Sequence, residues 1–132
     1  MVTGTTRRLI AVVLLLQSSL AAADQIWWSD SGRYQLGFTS QLQPIEINRM
    51  HAWVVQLRDA AGAAVDGAEI EVSGGMPAHD HGLPTRPQVT AALGNGEYLL
   101  EGLRFHMHGL WQLVFTLEAG DRRERVVIEL EL

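Results

Sequence analysis

The chain has 132 residues, ten arginines and no lysine against fifteen acids, for a formal charge of -5, which disfavours nucleic acid and anionic membrane as partners and suits a cation. It contains no cysteine, so disulfides, thiolate nucleophiles, Cys-ligated zinc or iron-sulfur sites and an ordinary blue-copper centre are all excluded.

The first 23 residues read as an export leader. Arg7 and Arg8 precede the apolar run LIAVVLLL, residues 9 to 16, and Ala21 and Ala23 take the A-x-A places before a cut. That run falls short of the roughly 20 residues a membrane-spanning helix needs. Cleavage is therefore the reading and a retained N-terminal anchor its alternative. Either places the remainder, residues 24 to 132, outside the cytoplasm, in the periplasm or extracellular space. Without Arg7 and Arg8 its formal charge falls from -5 to -7. It is long enough for one modest core and reads as a single domain.

Beyond the leader, short apolar alternations are bounded by Gly, Asp or Pro, the pattern of strands joined by turns. Tyr34 to Thr39 alternates first. The stretch ending at Arg58 places Trp53, Val55 and Leu57 on one parity, and DAAGAAVDG, residues 59 to 67, stops it with turn chemistry. A strand Ala68 to Ser73 follows, which Gly74 and Gly75 are expected to end. Pro77, Pro84 and Pro87 then make Met76 to Pro87 a surface loop, because a proline has no N–H to give a central ladder. Val89 to Leu93 is the next strand, and Gly94-Asn95-Gly96 turns the chain into Glu97 to Leu103. Leu110 to Glu118 alternates Trp111, Leu113, Phe115 and Leu117, and the last strand alternates Val126, Ile128, Leu130 and Leu132. About seven strands and no convincing helix predict an all-β domain, an immunoglobulin-like antiparallel sandwich, with a small barrel as the second choice.

Four of the five histidines fall in two phrases, GGMPAHDHG (residues 74 to 82) and RFHMHG (residues 104 to 109), each with a methionine. In the first, a loop lets Met76, His79 and His81 converge, with Asp80 placed to orient an imidazole. In the second, His106 and His108 share a face if the chain is extended, about 6 to 7 Å apart, and Met107 then points away unless Gly109 bends the backbone. Imidazole alone accepts several metals. Thioether sulfur is soft, and the mixed set points to copper, Cu(I) in preference, over zinc. His51, which follows Met50 within a strand, reads as structural or exposed and not as a ligand. No G-x-S-x-G elbow, H-E-x-x-H helix or phosphate loop is present.

The MPxHxHG phrase (Met76, Pro77, His79, His81, Gly82) and the F-x-M-x-G-x-W phrase (Phe105, Met107, Gly109, Trp111) resemble those of the YtkA-like family, over approximately Ile45 to Leu132. The resemblance implies an exported β-sandwich of a copper-associated auxiliary protein, with Met76, His79, His81 and Met107 as recurrent candidate ligands and His106 and His108 extending the set. It implies copper-donating or copper-accepting protein partners, respiratory oxidase assembly machinery among them, and no catalytic small-molecule substrate. Met107 as a ligand conflicts with its parity, and a bulge at that segment would remove the conflict. Two other readings stand beside the copper carrier: an exported structural or interaction module without physiological metal, and a copper-dependent accessory enzyme.

Overall fold

The alternations become nine antiparallel strands in the computed structural model, which describes residues 25–132. The export-leader expectation lies outside the described residues. The strands are β1 (Trp27–Trp28), β2 (Tyr34–Ser40), β3 (His51–Asp59), β4 (Glu69–Met76), β5 (His81–Gly82), β6 (Gln88–Gly94), β7 (Glu97–Leu103), β8 (Leu110–Ala119) and β9 (Arg122–Glu131). Period-2 burial drives them: β8 fully buries Trp111, Leu113, Phe115 and Leu117, and β3 buries Trp53, Val55 and Leu57. Phe105 and Tyr98 complete the large core side chains.

Two local expectations are corrected. Gly74 and Gly75 do not end β4, which runs on to Met76. A Cβ at Gly74 would run into the Gln112 carbonyl oxygen, and one at Gly75 into that of His81, so the glycines serve close strand approach and not termination. The second His-Met phrase, for which an extended chain was one possibility, is the loop between β7 and β8. Gly109, at φ 126°, supplies the bend, so a turn takes the place of the expected bulge.

The strand order is β1-β2-β3-β7-β6-β4-β8-β9, with β5 attached to β4. Between β6 and β4 the ladder is a single pair, Glu71 with Gln88. The far edges meet through a bridge from Ser29 to Val126 and a hydrogen bond from the Asp30 amide to the Arg125 carbonyl. The result is an all-β, nearly closed, barrel-like sheet with two thin seams. Seven strands do have seven or more residues; β1 and β5 have two each. The registers His51↔Leu103, Gly75↔Gln112 and Leu110↔Glu131 bring the start of β3, the ends of β4, β7 and β9 and the start of β8 to one pole. Both His-Met phrases lie there.

Candidate metal centre

The first phrase is a tight hairpin at this pole. β4 and β5 pair Gly75 with Gly82 and Met76 with His81, and a 3₁₀ turn over Pro77–His79 connects them. Pro77 suits the start of that turn, where its missing N–H leaves no helical bond unmade. Asp80 closes it in the left-handed region, φ 50° and ψ 43°. Directly opposed residues of an antiparallel pair project to the same face, so Met76 and His81 leave the backbone together. Met76 is buried at 2% exposure, whereas His79, Asp80 and His81 are exposed.

The second phrase is clamped from three directions. Gly109 and Leu132 exchange backbone hydrogen bonds of 2.8 and 3.1 Å, the Trp111 Nε1–H donates to the Met107 carbonyl at 3.0 Å, and the Asn48 amide donates to the Phe105 carbonyl at 2.7 Å. These bonds set His106 against the hairpin. Its ring lies 5.0 Å from that of His81 and 5.4 Å from that of Trp111, centre to centre, while His79 and His81 stack at 5.8 Å. The His106 Nδ1 atom is buried and has no hydrogen-bond partner among the described residues. Met76 reaches beneath the same segment: its Cε is 2.8 Å from where a Cβ on Gly109 would stand.

The structure thus brings Met76, His79, His81 and His106 to one place. Met107 is half-buried and packs against the core, and His108 is exposed and takes no part in the ring contacts. Asp80 borders an open depression of about 390 Å³ with His81, Gln112 and Val114. Among the described residues no three or more His, Asp or Glu side chains converge on one point, so imidazole and carboxylate alone do not make a closed cage here.

His51, read from the sequence as structural or exposed, also lies at this pole. His51 is buried, at 8% exposure, with Nδ1 3.0 Å from the Arg49 carbonyl oxygen, and its Nε2 has no partner among the described residues. The signal was its parity, shared with Trp53, Val55 and Leu57, which turns an imidazole toward the core.

The sequence model of the YtkA-like family matches residues 29–116, well over half of the chain. The chain belongs to the YtkA-like family. The YtkA-like match starts at the bridge residue Ser29 and ends at Thr116 inside β8, so it contains both His-Met phrases. No curated protein matches the chain. One solved structure, the ZirS C-terminal domain, is similar at a TM-score of 0.40 and 12% identity, over 100% of this chain and 88% of the other, a likeness too slight to carry an argument.

Proposed function

We propose that this YtkA-like domain binds copper, Cu(I) in preference, at the His-Met pole and hands it to a protein partner outside the cytoplasm. One observation carries the reading: Met76 stands opposite His81 in the β4–β5 ladder, and His81 lies beside His106, whose Nδ1 is buried without a partner. A neutral thioether and neutral imidazoles suit a soft monovalent ion, and neither has to lose a proton from sulfur to bind it. The donor set therefore fits copper, with Met76, His79, His81 and His106 holding it and Met107 and His108 extending the set.

Exposure separates a carrier from a store. His79 on the 3₁₀ turn and His81 on β5 both stand in water, where side chains change rotamer fast, and a partner's donor can join the ion before these two release it. The partner is a copper-donating or copper-accepting protein, respiratory oxidase assembly machinery being the case the family association supports. No catalytic step belongs to this reading. The leader over residues 1 to 23, its removal, the single domain over 24 to 132 and a periplasmic or extracellular location are parts of the same proposal. So is the kinship of the barrel-like sheet to immunoglobulin-like sandwiches, since its two seams divide it into two faces.

The lack of three converging His, Asp or Glu residues among those described favours a second reading, an interaction module without physiological metal. A Cu(I) competition titration under reducing, anaerobic conditions separates the two, with zinc as the comparison ion. The carrier reading predicts one tight equivalent, weakened by about tenfold or more, or ~1.4 kcal/mol, in Met76→Ala and in His81→Ala. Weak, non-stoichiometric binding indifferent to both substitutions would leave the module.

A further inference from the structure

Sulfur and imidazole differ in depth at the pole. Met76 belongs to the core and Met107 packs against it, whereas His79, His81 and His108 are exposed. An ion held by thioether sulfur therefore sits toward the core, and the exposed imidazoles have to reach inward for it. His51 is already there. Its ring lies 5.7 Å from that of Phe105 and 6.3 Å from that of Trp53, both fully buried.

The hydrogen bonding of His51 fixes its chemistry. A carbonyl oxygen only accepts, so the bond to Arg49 takes a proton on Nδ1, and in the neutral ring Nε2 then carries the lone pair. That lone pair is buried and finds no donor among the described residues, although buried polar atoms are otherwise nearly always paired. An imidazole whose Nδ1–H is anchored on a backbone carbonyl is also the arrangement that aims Nε2 at a metal.

We propose that His51 Nε2 is a coordination position for Cu(I) on the core side of the pole, joined there by methionine sulfur, with His81 and His106 as the outer way in. The inference deepens the copper reading and rests on it. The Phe105 ring neighbours both groups, 5.7 Å from the His51 ring and 5.2 Å from that of Trp111, against which His81 and His106 lie. It sits on the loop between β7 and β8.

The test is a long-range proton–nitrogen correlation of the histidine rings in the ¹⁵N-labelled wild-type protein, before and after one equivalent of Cu(I) without oxygen. Before addition, His51 is expected with a protonated Nδ1 and an unprotonated Nε2; after it, Nε2 moves away from its unprotonated position together with nitrogens of His81 or His106. Shifts at His81 and His106 with His51 unmoved would overturn this inference and leave the copper reading standing. A proton found on Nε2 before addition would overturn it too. No bound copper and no shifted histidine would remove both. As a second measurement, His51→Gln is expected to weaken Cu(I) binding by about tenfold or more, and unchanged affinity in a folded variant would contradict the assignment.

Discussion

Gly75 has no room for a side chain. A Cβ there would meet the His81 carbonyl oxygen and come within 2.9 Å of the Gly82 Cα, both backbone atoms that no rotamer change moves aside. Gly75→Ala is therefore expected to destabilise the protein by about 1–3 kcal/mol, and, because it pushes β5 away, to weaken Cu(I) binding as well. Chemical denaturation and metal titration of the same variant check both. Gly109→Ala acts from the other phrase: its φ of 126° is strained for any residue with a Cβ, and the new atom would press on the Met76 methyl. A loss of about 1–3 kcal/mol is expected, with Met76 displaced. At this scale the sequence shows donors better than supports. The crowding of histidine and methionine is plain in the string, but a glycine doublet looks the same whether it ends a strand or lets two neighbours close in, and only the positions of Gln112 and His81 decide.

Elements were legible where one face is buried and the other is not. β3, β7, β8 and β9 alternate strongly enough to be read from parity alone, and the Gly94-Asn95-Gly96 turn was visible from its residue types. β1 and β5 were not, because two residues carry no period; they are strands by virtue of the neighbour they pair with. The links between elements can be tested separately from the pole. Tyr98 Oη donates to the Val65 carbonyl at 2.6 Å and accepts from the Ala68 amide at 3.1 Å, tying the β3–β4 connection to β7. Tyr98→Phe removes both bonds and should lower stability by about 1–2 kcal/mol. That connection follows the end of β3 away from His51, so Cu(I) affinity should hardly change. A parallel loss of affinity would show that the pole depends on the whole barrel.

The molecule as a whole is held unevenly. β8 and β9 share an unbroken ladder of ten residue pairs, while β4 and β6 share one. Amides of β8 and β9 should exchange with solvent last and those facing the β4–β6 seam first, and hydrogen exchange read residue by residue tests this. Uniform protection around the barrel would contradict it. The ion pairs Arg49–Glu46, Arg123–Glu118 and Arg125–Asp30 are half exposed or more, so each contributes only about 0–1 kcal/mol. Cohesion comes from the buried aromatic and aliphatic side chains. Closure of the sheet could not be read from the string, since the order β7-β6-β4-β8 joins strands by pairing and not by succession. Nor could the way closure buries Met76 and His51 while leaving His79 and His81 in water. The central claim is that copper there is held by methionine and histidine together. Copper K-edge absorption of the selenomethionine-labelled protein, loaded with one equivalent of Cu(I), addresses it most directly. The account predicts a copper–selenium shell beside imidazole nitrogen, with the selenium lost in Met76→Ala or Met107→Ala; a shell of nitrogen and oxygen alone would contradict it.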